Sequence, residues 1–401
     1  MGMSNEELIR KAQVTTDALA AAGKLNPEQA DKFIDYVFDL TSLKGKVRTV
    51  KFKPDQLDID KINVGQRVTV AKAEATDPQV RRGVSTSKVT LNPKEVMVPF
   101  EISDDFMEYN IEMESVEDHI IKMMATQMAN DLEELYLDGD TLGPARFQGD
   151  IYDGGSANHA VKDTYIGLLD GWLKKARGSN VKDFNGANIS STVFSDMINA
   201  LPEKYKRNKR NLKFFSSTVL EQNYRQVISS RATAKGDSAL ETESNLTPYG
   251  IELVPAPLFS STPRVTEHVT LNGIATTQLQ FKNIVENSEI VTLTNLGATP
   301  VAPYTEGAGN DYVMDYVNGT IKRDAGGVLP DPVNVKITYL AESQLLLTEY
   351  RNLIIGLGRD IRIEKDRDIF KGVNQYAITA KVSTEIENLE AMVFGKNIGL
   401  R

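Results

Sequence analysis

Residues 115–141, SVEDHIIKMMATQMANDLEELYLDGDT, set a histidine, three methionines and a run of acids ahead of a DxD-like DGD. Val116, Ile120, Met124, Met128, Leu132 and Leu135 recur every three or four residues, and Ile121 and Met123 widen the stripe, which is the period of an amphipathic helix. Ser115 with Asp118 forms a capping-box pattern and Gly139 ends the periodicity. The stretch therefore predicts one helix of about 22 residues, roughly 33 Å long. A metal reading fails on spacing. A calcium loop opening at Asp138 would put Asp140 and Gly143 at its third and sixth positions, but Leu142 and Gly149 would fall at the fifth and twelfth, where oxygen ligands are needed. His119 has no second ligand at metal spacing, and the methionines read as fillers of an apolar core. Val116, Ile120, Met124, Met128 and Leu132 are assigned a folding role as the core face of a beam.

Composition bounds what the beam can serve. The chain has 401 residues, 41% hydrophobic and 25% charged, enough for two or three domains with a sizeable core. It contains no cysteine, so disulfides and thiol chemistry are excluded. A formal net charge of −9 argues against gripping nucleic acid as the main task, because that affinity comes from Lys and Arg neutralising phosphates. No window approaches 18 uninterrupted apolar residues and no charged-then-apolar leader opens MGMSNEELIRKAQ. The expectation is synthesis in the cytoplasm, with no membrane partner.

Outward from the long helix, texture changes several times. At the N-terminus, Ser4 with Glu7 and Gly23, then Asn26-Pro27-Glu28-Gln29, predict two short helices with apolar Phe33, Ile34, Val37 and Phe38 in need of a partner surface. Alternation in RVTVAKA (67–73) and SKVTLNPKEVMVPFEIS (87–103) predicts a long hairpin whose tip is EATDPQVRRGVST. A two-stranded hairpin is marginal alone in water, so it should lie on another subunit or on its own domain. Its assigned inter-subunit contacts are Val68, Val70, Val89 and Leu91 on the strands, with Arg81 and Arg82 at the tip meeting acids. A helix is predicted from Tyr165 to Ala176 around the single tryptophan, Trp172, and another from Ser191 to Leu201. Five cations between Lys204 and Arg210 read as a solvated helix end beside the strand LKFFSS, since no aromatic platform accompanies them. Residues 260–345, rich in Thr, Val, Asn and Gly, predict strands at TQLQFKNIV, EIVTLTN, DYVMDYV and VKITYLA, with a type I′ hairpin at Asn318-Gly319. They read as an inserted β-sandwich-like domain.

Catalytic motifs are missing. The histidines at 119, 159 and 268 share no pattern, and there is no G-x-S-x-G, H-E-x-x-H or Walker loop. Glu133 and Glu134 are adjacent on a helix and diverge by about 100°, unlike a cooperating acid/base pair. No catalytic, cofactor or metal site is assigned. An enzyme reading survives only as a metal-dependent hydrolase with a β accessory domain, using Asp138, Asp140 and His159.

Five passages in order resemble the major capsid protein of tailed bacteriophages, the Hong Kong ninety-seven fold. They are the hairpin feeding VMVPFEISDDFMEYN, the long helix ending LYLDGD, INALPEKYKRN with LKFFSS, RQVISSRATAKGDSAL with TPYGIELVPAPLF, and the tail RNLIIGLGRDIRIEKDRDIFKGVNQYAITAKV with Glu390-Ala391-Met392-Val393. The resemblance implies an α+β shell subunit. It would have an N-terminal arm (1–48), an extended β-hairpin loop (49–102) and a peripheral domain (103–189) with a spine helix at 115–138. An axial domain would begin at 190–259, an all-β, Ig-like insertion would occupy 260–345, and 346–401 would end the axial domain and return to the peripheral one. Implied partners are copies of itself in hexamers and pentamers, a separate scaffolding protein, a portal and packaged double-stranded DNA held by weak proximity; for the insertion, binding host glycans, receiving a decoration protein and bolstering the capsomer stay open. Its place would be the virion, assembled in the host cytoplasm. The same fold admits an encapsulin-like cargo compartment as the alternative.

Overall fold

The structure is a computed structural model that describes residues 13–14, 43, 46–52, 56–63, 69, 85–109, 115–151, 156–230, 246–294 and 301–400. The opening stretch is a 24-residue helix, Ser115–Asp138. Its burial is graded along its length. Met128, Leu132 and Leu135 are buried, Ile120 and Met124 pack half-exposed against the same cluster, and Val116 lies in the first turn. The beam therefore anchors by its C-terminal half. Met128→Ala or Leu132→Ala is expected to lower the unfolding free energy by about 2–4 kcal/mol, with smaller losses for Ile120→Ala and Met124→Ala, measured by urea denaturation of dissociated subunits. Equal losses at all four positions would contradict the gradient.

The helix packs on a five-stranded sheet built around the hairpin Leu353–Asp368 and Val373–Ile386. Lys94–Ser103 pairs antiparallel with the second strand, and Arg48–Lys51 pairs parallel with the first. Alternation fixes the faces: along Val373–Ile386, Tyr376, Ile378, Ala380 and Val382 point into the core, and Tyr376 stacks on Phe100 at 4.9 Å. Gln13–Val14 adds a two-residue parallel strand at the other edge, beside Glu101 and Ile102. There the capping pattern predicts helix; an unpaired edge offers backbone partners that local propensity does not register. The rest of the two N-terminal helices lies outside the described residues.

A second five-stranded sheet runs in the order Glu252–Ala256, Leu212–Ser217, Ser343–Glu349, Met392–Gly399, Asn180–Asn188. The predicted helix Ser191–Ala200 and the helix Thr218–Ser229 supply apolar partners for this sheet, with Phe194 edge-on to Phe214 at 4.9 Å and 4.7 Å from Tyr224. Ser217 caps the second helix by accepting from Leu220 N at 3.2 Å.

Between residues 264 and 340 lie two three-stranded sheets, one centred on Val333–Leu340 and one on Thr320–Arg323. Of the four predicted strands, TQLQFKNIV shrinks to Thr277–Gln278, while Ile290–Leu293, Tyr312–Asp315 and Val333–Leu340 fall where expected. The strand Arg264–Leu271, which the sequence reading does not include, pairs along the whole of Val333–Leu340. Asn318-Gly319 closes a four-residue loop rather than a two-residue type I′ turn: Asp315 pairs with Thr320, and only Gly319 has positive φ (64°). The Asp315 carboxylate accepts from Asn318 N at 3.0 Å and Nδ2 at 2.7 Å, which holds the longer loop closed.

Residues 165–176 form a 3-10 turn, Ile166–Leu168, and a short helix, Trp172–Ala176, where the sequence predicts one helix. The break lets two backbones meet. Gly171 N donates to Gly139 O at 2.8 Å, and a Cβ on Gly171 would lie 2.5 Å from Leu137 O. Only glycine allows that approach.

Candidate functional site

Four groups of residues bear on function: the DGD at the end of the long helix, the hairpin, the basic run and the paired sheets beyond residue 260. At the DGD, the carboxylates are committed to structure. Asp140 is 4% exposed, pairs with Lys174 at 2.8 Å and accepts from Leu142 N at 2.9 Å. Lys174 also binds Asp170 at 2.6 Å, and Asp170 in turn accepts from Thr141 N at 2.8 Å. His159 is exposed and shares a 2.9 Å hydrogen bond with Ser156. No group of three or more His, Asp or Glu side chains that could hold a metal occurs among the described residues.

The same place is a junction of buried charge. The strand Val333–Leu340 has nearly every residue buried. Val333, Val335, Ile337 and Tyr339 face the apolar core it shares with the long helix, and Thr338 and Lys336 meet the loop after DGD. Thr338 Oγ1 accepts from Ala145 N at 3.0 Å, and Lys336 Nζ donates to Gly143 O. Burial, with Lys162 nearby, pulls the Lys336 ammonium down to about 8. Arg146 binds Asp163 at 3.2 Å and Glu134 at 3.4 Å. Burial pushes the Asp138 carboxyl up to about 7, the Glu134 carboxylate one turn earlier adds repulsion, and Arg177, Arg146 and Arg264 pull against both. Buried Glu267 is hydrogen-bonded by Tyr339 Oη and by Gln280 N. Such a network fixes how the sheet seats on the helix end, since a misplaced charge would be left unpaired.

Among the described residues a hairpin is present, while the predicted arm RVTVAKA (67–73), apart from Thr69, lies outside them. Leu57–Asn63 pairs with Ser85–Leu91, from Leu57 opposite Leu91 to Asn63 opposite Ser85. LDIDKIN carries the same alternation as RVTVAKA, masked by the acids and lysine at its polar positions. Val68, Val70, Arg81 and Arg82 lie outside the described residues. Val89 (9% exposed) and Leu91 (0%) are buried within their own chain, Leu91 in a cluster with Phe52 and Ile354. Within this chain Leu91 presents no exposed surface and Val89 only a little. The outward face is polar. Asp58 accepts from Lys88 at 2.7 Å, Thr90 at 2.8 Å and Gln56 at 3.1 Å, and the Lys88 hydrogen bond leads in holding its carboxyl down to about 2. Lys61 Nζ reaches Glu387 O, and Arg48 pairs with Glu387 at 3.0 Å, tying the hairpin base to the body above a polar cleft of about 490 Å³.

The basic run forms a 3-10 helix, Glu203–Asn211. Lys204 pairs with Glu390 at 2.8 Å and Lys206 with Glu203 at 2.6 Å, while Arg207, Lys209 and Arg210 face solvent. This matches a solvated helix end.

With this geometry in hand, similarity to other proteins is decisive for the fold. YqbE of Bacillus subtilis (strain 168), named as a candidate prophage capsid protein, is 27% identical over 392 residues, 97% of each chain. A solved structure of the satellite phage P4 procapsid with its size determination protein aligns at TM-score 0.50 and 11% identity, over 99% of this chain and 98% of the other. The chain has the phage capsid fold. A structure from Gordonia phage Cozz aligns at TM-score 0.51 and 10% identity, over 96% and 94% of the two chains. No family model matches. The charge junction is where the strand Val333–Leu340 meets the loop that follows the long helix.

Proposed function

We propose that the chain is the structural subunit that assembles into the icosahedral shell of a tailed bacteriophage, as hexamers and pentamers enclosing double-stranded DNA. The observation that carries this reading is the end-to-end similarity to a relative named for a prophage capsid, on a chain with the capsid fold. Residues 1–48 act as an arm, 49–102 as an extended loop reaching a neighbour, 103–189 as the peripheral domain, and 190–259 with part of 346–401 as the axial domain. Residues 260–345 form an Ig-like insertion on that frame, a reading supported by two antiparallel sheets with shared apolar faces. A scaffolding protein, a portal and a decoration protein act alongside it, and the net charge of −9 keeps packaged DNA near the wall without adhesion. Many weak copies of one contact sum to a stable shell.

Expression of the chain alone and with its neighbouring genes, followed by sedimentation and negative-stain electron microscopy, tests the proposal. Capsomers, tubes or closed shells are the expected result. A monomer under every co-expression would overturn it. Arg81→Glu with Arg82→Glu is expected to abolish shells while leaving the thermal melt of the subunit unchanged; normal shells would remove the tip arginines from the interface.

A further inference from the structure

An asparagine followed by glycine can modify itself, because glycine puts no side chain in the way of its own N–H as it meets the preceding side-chain amide. The chain holds three such pairs, Asn185-Gly186, Asn272-Gly273 and Asn318-Gly319. The fold treats them differently. The Asp315 carboxylate accepts from Asn318 N and Nδ2, and a Cβ on Gly319 would collide with Phe281 O, so the amide and the backbone after it are both confined. Asn185 Oδ1 accepts from Lys282 Nζ at 3.1 Å, and a Cβ on Gly186 would lie 2.5 Å from Asn283 Nδ2. Swinging either amide carbon onto the next nitrogen breaks those contacts.

Asn272 is free to make that swing. It is exposed, and its side-chain amide has no hydrogen bond among the described residues. Here the following nitrogen is the group that is held, and a base holds it: Gly273 N donates to Asp331 Oδ1 at 2.8 Å. Arg323, 3.8 Å away, steadies Asp331 from the other side. The space around Gly273 is open, since a Cβ there would meet nothing closer than Asp331 Oδ2 at 4.0 Å. A carboxylate within hydrogen-bond reach of the proton that must leave is the geometry of general-base catalysis.

We propose that Asn272 is a self-modification site, converted to aspartate and isoaspartate through a succinimide with Asp331 as the base. Gly273 N attacks Asn272 Cγ as its proton passes to Asp331 Oδ1. The Cγ–Nδ2 bond then breaks, and the amide nitrogen leaves as ammonia with that proton, which restores the carboxylate. Water opens the ring at Cγ to give aspartate, or at the main-chain carbonyl to give isoaspartate, in which the backbone runs through the side-chain carbon. Amide and water are consumed, and carboxylate and ammonia are formed. The product adds a negative charge beside Asp331, on the loop that exposes Ile274 (70%), so this end of the 264–340 sheets changes charge as the molecule ages. The chemistry does not depend on the shell reading.

The full-length folded protein is held near neutral pH, and peptide mass spectrometry follows the exchange of NH2 for OH at each of the three asparagines, with chromatography separating aspartate from isoaspartate. Asn272 is expected to convert at least about tenfold faster than Asn185 or Asn318, and Asp331→Asn, which keeps the size and removes the base, to slow it by about tenfold while leaving the other two unchanged. In urea the three rates of the unsubstituted chain should converge, because only the fold brings Asp331 to Gly273. A folded-state rate at Asn272 no greater than that at Asn318 would overturn the proposal, as would an excess that survives in urea. Folded Asp331→Asn protein with an undiminished rate would also overturn it. The urea comparison needs no substitution and decides even where the variant does not fold.

Discussion

Trp172→Ala is expected to destabilise the subunit by about 3–5 kcal/mol, the largest single loss among the core positions considered. The indole is fully buried between the long helix and the sheet, its ring 6.0 Å from that of Tyr136, and its Nε1 donates to Glu385 O at 3.2 Å. Truncation removes apolar area on both sides and leaves the Glu385 carbonyl without its donor. Beside it, Lys175 holds Glu385 at 2.8 Å and donates to Thr384 O at 2.6 Å, so the same short helix ties the sheet at three points. Trp172→Phe keeps most of the packing and loses the hydrogen bond, and should cost about 1–2 kcal/mol. Urea denaturation followed by circular dichroism measures both; a loss below about 1 kcal/mol for the alanine variant would mean that the junction collapses to fill the space.

The second large effect is a dependence of stability on pH set by Asp138. Its carboxyl sits at about 7 in the folded chain against 3.8 as a free side chain, with burial the leading cause. Below about pH 4 both states hold the proton and the group is neutral with respect to folding. Between about 4 and 7 the unfolded chain releases its proton while the folded chain keeps it, so stability falls as pH rises, and above about 7 the full penalty is present. Asp138→Asn removes the titration. The variant is expected to gain on the parent by about 2–4 kcal/mol more near pH 8 than near pH 4, at roughly 1.4 kcal/mol for each pH unit separating the folded and unfolded values, reduced for partial solvent access. A stability difference that stays constant with pH would show that Asp138 titrates normally in the folded state. Lys336 acts in the opposite sense over a higher range: with its ammonium at about 8 rather than 10.5, stability rises between those values as the folded chain sheds the buried charge first.

The two effects meet at one place, and that place shows how far residue patterns reach. The long helix, Ser115–Asp138 with 24 residues against about 22 expected, was legible because a 3.6-residue apolar period sustained over about six turns has no competing solution. After Asp138 the sequence offers oxygen at only some of the positions that a calcium loop must fill. What Asp138 and Asp140 do instead was not legible. Their partners, Lys174, Arg177, Arg146 and Arg264, come from other segments of the chain, and no local period encodes such pairings.

Short elements failed for a related reason. The break at Leu169–Gly171 depends on a backbone approaching from Gly139, and the strand Gln13–Val14 depends on a sheet edge supplied by Glu101 and Ile102. In both, tertiary hydrogen bonds outweigh propensities worth only tenths of a kcal/mol per residue. Leu91 reads from sequence as one of a row of alternating apolar residues on a hairpin; alternation says which residues share a face, and only the body of the protein decides whether that face turns to Phe52 and Ile354 or to a neighbour.

Local period and composition were enough for the beam, several of the strands and the cysteine-free, acidic character of the chain, while the capsid order of passages came from resemblance. Only the tertiary structure decided which apolar residues remain exposed, Phe370 against Leu91, and which charges titrate abnormally, because exposure and desolvation are set by atoms distant in the chain and close in space.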